Sequence, residues 1–132
     1  MEEITESRFH WITSEHPELT AFIAVDKQLR LYFNRTSQKL VGGPGAQVQV
    51  GYDFANRRLV VAPADIVRPA NVRPHRLDKR GYTSARPFIR ALGLSESDLP
   101  IKYTYLGKDY TDYPAGALVF GLNGEAGEDG AL

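Results

Sequence analysis

The chain has 132 residues, no cysteine, and 16 basic against 16 acidic side chains. That length fits one domain, and the absence of cysteine excludes disulfides, thiolate zinc sites and a cysteine nucleophile. With 42% hydrophobic and 24% charged residues, the composition is that of a globular protein with a packed core rather than of a disordered chain.

The neutral total hides an uneven distribution. Residues 1–26 hold Arg8 against six acids, a net −5. Residues 27–90 hold thirteen Lys and Arg against Asp53, Asp65 and Asp78, a net +10. Residues 91–132 hold Lys102 and Lys108 against seven acids, again −5. A basic middle between acidic ends points to an anionic or acidic partner. The opening MEEITES is acidic, unlike a signal or transit peptide. No apolar run approaches the roughly 20 residues of a membrane helix. The expectation is a soluble, cytoplasmic protein with no membrane partner.

In chain order, RFHWIT and TAFIAV are rich in aromatic and β-branched residues and flank the turn SEHPE. Trp11 is expected to anchor the core or its edge. AFIAV, the turn at Asp26-Lys27-Gln28 and LRLYFN predict a hairpin, with Leu29, Leu31 and Phe33 alternating against Arg30, Tyr32 and Asn34. Asn34 or Thr36 can cap a short helix, TSQKLV, which Gly42-Gly43-Pro44-Gly45 stops. VQVGYD and RRLVVAP predict two further strands, and Pro63 ends the second.

Residues 64–81 read as an extended crossover, in which Pro69 and Pro74 space Arg68, Arg73, Arg76, Lys79 and Arg80. A second series follows: a Ser84-capped helix ending at Gly93, the turn SESDLP, the strand IKYTYLG, a longer turn and the strand ALVFGL. Both series read as helix, strand, turn, strand. Gly42 and Gly93 take the same place, and Val48 and Ile101 open corresponding strands. The expected organisation is one domain over residues 1–122, with pseudo-repeats at 29–63 and 82–122. The Gly-rich acidic stretch 123–132 is expected to be a disordered tail.

Residues 29–63 carry a strand (Leu29–Asn34), a short helix ending in Leu40-Val41-Gly42, a V-x-V strand (Val48–Tyr52) and a last strand reaching Pro63. This pattern resembles the swapped-hairpin unit of the AbrB, SpoVT and MraZ families. It is also similar to small phage and mobile-element proteins with an FN…LVG…V-x-V…VVAP pattern. The resemblance implies a mainly β fold with short α-helices, built as two swapped-hairpin-like halves forming one pseudo-symmetric barrel. It also implies transcription regulation through DNA binding, and it admits a homodimer. The chain departs from the family at Phe33-Asn34-Arg35, where a Pro or Gly is usual, and in having Val41 between Leu40 and Gly42.

No catalytic constellation stands out. His10, His16 and His75 lack a ligand spacing, and Asp53, Asp65 and Asp78 are scattered. Gly42-Gly43-Pro44-Gly45 follows a helix and precedes a strand, the reverse of a phosphate-binding loop. No cofactor, no metal and no enzymatic activity are expected. The candidate nucleic-acid contacts are Arg30, Arg35, Lys39, Arg57, Arg58, Arg68, Arg73, Arg76, Lys79 and Arg80, because phosphates need cations at intervals. Tyr32, Tyr52, His75 and Tyr82 interleave with them and can stack on bases. The alternative partner is a host protein, such as a nucleic-acid enzyme inhibited by a phage or mobile-element regulator. It would be bound through Tyr105, Tyr110 and Asp112, where aromatic and acidic side chains cluster.

Overall fold

The computed structural model describes Phe9, Trp11, Ile12 and residues 20–122. The expected tail 123–132 and most of the stretch before residue 20 lie outside the described residues. Among the described residues, two short helices and eight strands form the fold: β1 (Phe22–Val25), β2 (Arg30–Phe33), α1 (Arg35–Val41), β3 (Gln47–Asp53), β4 (Arg58–Pro63), β5 (His75–Arg76), β6 (Tyr82–Ser84), α2 (Arg86–Leu92), β7 (Ile101–Lys108) and β8 (Leu118–Leu122). A 3-10 turn at Glu96–Asp98 links α2 to β7.

The strands make one mainly β, nearly closed, barrel-like sheet in the order β5-β3-β4-β8-β7-β1-β2-β6, with every ladder antiparallel. The two ends of that order meet in a tight turn, where Asp78 N–H donates to the Tyr82 carbonyl at 2.9 Å. Alternation sets the faces. Ile23, Val25, Leu31 and Phe33 point inward and are fully buried, while Phe22, Ala24, Arg30 and Tyr32 point outward and are only partly buried. Val48, Leu59, Val61, Tyr103 and Phe120 fill the rest of the interior.

The strand and helix expectations hold for the hairpin, for both helices and for the four strands of the later hairpins. Asn34 supplies the α1 cap: its Oδ1 accepts from Ser37 N–H at 3.1 Å and from Phe22 N–H at 3.0 Å. Its Nδ2 donates to the Thr20 carbonyl at 3.1 Å, so one buried amide ties the helix start to β1.

Three expectations are corrected. Trp11 is not a core anchor, because it is 89% exposed and its ring meets Phe9 instead. The cap of α2 is Ala85, although the Ser84 hydroxyl does accept from Arg86 N–H at 3.2 Å. Residues 64–81 are more than an extended crossover. Ile66 and Val67 N–H both return to the Pro63 carbonyl, and β5 then pairs Arg76 with Gln47 and His75 with Val48. Backbone pairing at the free edge of β3 is the physical reason, since a strand left beside open ladder groups closes them.

Candidate nucleic-acid interface

Two tight turns repeat each other bond for bond. Asp26 N–H donates to the Arg30 carbonyl (2.9 Å), the Asp26 carbonyl accepts from Leu29 N–H (3.1 Å), and Asp26 Oδ1 accepts from Arg30 N–H (2.9 Å). Asp78 makes the same three bonds with Tyr82, Gly81 and Tyr82, at 2.9, 3.0 and 2.9 Å. Each turn then feeds the β2–β6 ladder, and the ladder ends are reciprocal. Phe33 N–H donates to the Gly81 carbonyl at 2.8 Å, and Ala85 N–H donates to the Leu29 carbonyl at 2.9 Å.

Gly81 is required where it stands. Its φ is +92°, and a Cβ there would run into the Phe33 carbonyl and the Gln38 amide. Gln38 Nε2 donates to the carbonyls of Phe33 (2.8 Å) and Arg80 (3.3 Å), fixing the second turn against α1.

This arrangement gathers cations around β2 and β6. Arg30 is held by Asp26 at 2.9 Å and lies over the Tyr82 ring, with its Cζ 4.1 Å from the centroid. Arg80 approaches the same ring at 5.2 Å, and Tyr32 packs beside it at 4.9 Å between centroids. Arg35 and Arg86 open the two helices, Lys39 and Arg90 occupy their last turns, and Lys27 and Lys79 sit in the two turns. All six of these are exposed. Gln28, Arg30, Tyr82 and Arg86 line one shallow depression on this face. The carboxylate of Asp78 is held below the usual range, chiefly by Tyr82 N–H, and stays charged inside its turn.

The ten cations expected at an interface therefore divide. Arg30, Arg35, Lys39, Lys79 and Arg80 belong to the β2–β6 face or to α1 beside it. Arg68 and Arg76 line a different groove of about 710 Å³, between β3 and the Pro63–Pro74 segment, with Gln49 on its wall. Arg68 Nε donates to the Ala64 carbonyl at 3.2 Å. Arg73 is exposed nearby, Arg57 is exposed in the β3–β4 turn, and His75 is half-buried with its pKa lowered by desolvation.

Arg58 is a correction: it is fully buried and cannot reach a phosphate. It lies opposite Asp53 on β3 and Gly121 on β8, and the β7–β8 loop covers it. The Tyr110 ring sits 4.9 Å from its Cζ. The Tyr113 hydroxyl donates to Asp53, and the Arg58 guanidinium helps keep that hydroxyl's pKa from rising further. Burial and Asp53 nevertheless hold Tyr113 above its ordinary value, while Tyr113 and Asn56 hold Asp53 below its own. The residues expected to meet a host protein lie around the same loop. Tyr110 covers Arg58, Tyr105 packs on Phe120 at 5.4 Å, and Asp112 is exposed.

Lys27, Arg86 and Arg90 were missed by sequence reasoning, although a signal was present. Asp26-Lys27 recurs as Asp78-Lys79, and R-x-x-x-K-x-x-G at 35–42 recurs as R-x-x-x-R-x-x-G at 86–93. Comparison with protein-family models, curated proteins and solved structures returned no match.

Proposed function

We propose that the chain is a non-enzymatic DNA-binding protein whose interface is the β2–β6 face, carried on a one-chain swapped-hairpin barrel. The pairing pattern supports the barrel reading. Exchanging β1 with β5, β2 with β6, β3 with β7 and β4 with β8 leaves the cyclic strand order unchanged. Under that exchange Ile23↔Tyr103 becomes His75↔Val48, and both pairs occur. Val48↔Pro63 becomes Tyr103↔Leu122, and both occur again. Leu31 opposite Thr83, and Val60 opposite Val119, then mark the two ends of a pseudo-two-fold axis. The counterpart of Val48 is thus Tyr103 rather than Ile101, and the halves run from β1 to β4 and from β5 to β8.

The observation that carries the function is that exposed cations repeat with this exchange. Lys27 matches Lys79 in the strand register, and Arg35 and Lys39 match Arg86 and Arg90 by their places in the two helices, which are one position out of that register. Every charged residue of the two helices, Arg35 and Lys39 in α1 and Arg86 and Arg90 in α2, falls in such a pair. A merely solvated surface has no need to keep charge at two-fold positions. Duplex DNA presents its two phosphate strands with local two-fold symmetry, so paired cations meet equivalent phosphates. Titration of a labelled duplex followed by fluorescence anisotropy tests this. Six phosphate contacts give a slope of log K against log salt of about −5.

The host-protein reading gains less support, because no repeated feature of the two halves stands behind Tyr105, Tyr110 and Asp112.

A further inference from the structure

Four adjacent strands, β7-β1-β2-β6, carry a row of outward side chains that the paired cations do not explain. Lys102 on β7 has its Nζ 4.6 Å from the Phe22 ring on β1. Phe22 meets the Tyr32 ring on β2 at 6.1 Å, and Tyr32 meets Tyr82 on β6 at 4.9 Å. Arg30 and Arg80 close the row over Tyr82, at 4.1 and 5.2 Å. The three rings lie on the face turned away from the core, whose inward positions Ile23, Leu31 and Tyr103 are already filled. All three side chains are only partly buried, and on Tyr82 a base would take the place that the Arg30 guanidinium now holds.

The row breaks the exchange of halves. The positions that answer Phe22 and Tyr32 hold Pro74 and Ser84, the position that answers Lys102 holds Gln47, and Tyr82 answers Arg30. A two-fold duplex contact needs no such row without a two-fold counterpart. Aromatic faces flanked by cations are what unpaired nucleotides need, because every base has a π-face to stack and every phosphate wants a fixed positive charge. A sheet with outward aromatics on neighbouring strands supplies several such faces in line.

We infer that the row Lys102–Phe22–Tyr32–Tyr82, closed by Arg30 and Arg80, is a stacking platform for single-stranded nucleic acid. This rests on the nucleic-acid reading above and adds a different ligand class, taken by a row that shares Arg30, Tyr32, Tyr82 and Arg80 with the β2–β6 face and extends it to Phe22 and Lys102. The test compares a labelled oligothymidylate of about 12 nucleotides with a duplex of similar length, for the wild type and for the Phe22→Leu, Lys102→Gln double variant, whose two positions lie outside the β2–β6 face. Leucine keeps apolar cover on the sheet and removes the π-face. The wild type binds the oligothymidylate, the double variant loses at least about tenfold of that affinity, and its duplex affinity stays within about twofold. If the double variant does not fold, Phe22→Leu alone is read the same way, with a loss of about fivefold or more.

Absence of oligothymidylate binding by the wild type overturns the inference. So does an equal loss for both ligands, or no loss for either. Oligothymidylate binding without duplex binding upholds the platform and rejects the duplex reading. Duplex binding alone does the reverse.

Discussion

Arg30 lies 4.1 Å above the ring of Tyr82, and the two residues occupy the same place in two turns of identical bonding, 52 positions apart. A cation in one turn thus rests on the aromatic that replaces it in the other. The contact joins the two halves at the centre of the face proposed to bind DNA. It also keeps Arg30 at the surface, where Asp26 holds its Nε.

Arg57 and Arg58 are neighbours in sequence with opposite fates, and their substitutions should differ. Arg58→Leu removes a buried cation from beside Asp53, Tyr110 and Tyr113 and should destabilise the fold by about 2–4 kcal/mol. Arg57→Gln, at an exposed turn position, should change stability by less than about 0.5 kcal/mol. Urea unfolding of both variants measures the contrast, and equal effects would remove the structural role given to Arg58.

Asn34 makes three side-chain hydrogen bonds at the start of α1. Asn34→Ala loses the cap of α1 and both ties to β1, and should cost about 2–3 kcal/mol, more than an ordinary cap. Asn34→Asp keeps the acceptor for Ser37 and Phe22 and loses only the bond to Thr20, so it should cost less. Thermal unfolding ranks the two, and a milder effect for alanine would contradict the role.

Gly81→Ala forces a side chain into a positive-φ position against the Phe33 carbonyl and the Gln38 amide. It should destabilise by about 2 kcal/mol or more and weaken the β2–β6 ladder locally. Hydrogen exchange at Phe33 N–H, which bonds the Gly81 carbonyl, should accelerate more than exchange in β4. Equal acceleration throughout would show that the damage is not local.

Much of this was legible in the sequence because period-two alternation and glycine stops are local signals. Leu29–Asn34 alternates cleanly, Gly42 and Gly93 end their helices, and the strands at Val48 and Leu59 follow from β-branched runs. What was not legible depends on long-range pairing. β5 has two residues and no pattern of its own, and it exists because β3 offers an edge. Burial of Arg58 depends on a loop more than 50 positions away closing over it. The Lys27–Lys79 pair escaped notice because the second Asp-Lys turn lay inside a segment read as a crossover, so the alignment of halves started too late to include it.

Acid should act in two stages. His75 is half-buried and its pKa lies below the ordinary 6.5, so the unfolded chain takes up that proton first. Stability therefore begins to fall as pH drops below about 6.5 and continues until the folded value is passed. Asp53 is shifted below 3.8, chiefly by the Tyr113 hydroxyl, so its contribution is full above 3.8 and is lost as pH falls through the folded value. His75→Gln should flatten the first stage, and Tyr113→Phe should shrink the second. Urea midpoints measured from about pH 7 to pH 3 separate them, and unchanged curves in both variants would contradict these assignments.

The pseudo-two-fold cation face is tested most directly by the salt dependence of duplex binding in two double variants. Arg35→Ala with Arg86→Ala removes one matched pair from the helix starts, and both side chains are exposed, so the fold should survive. Arg73→Ala with Arg76→Ala removes two exposed cations at the groove between β3 and the Pro63–Pro74 segment. The predicted result is a slope of log K against log salt that is smaller by about two units in the first variant and unchanged in the second. A reversed pattern, or no salt-dependent binding of duplex by the wild type, would contradict it.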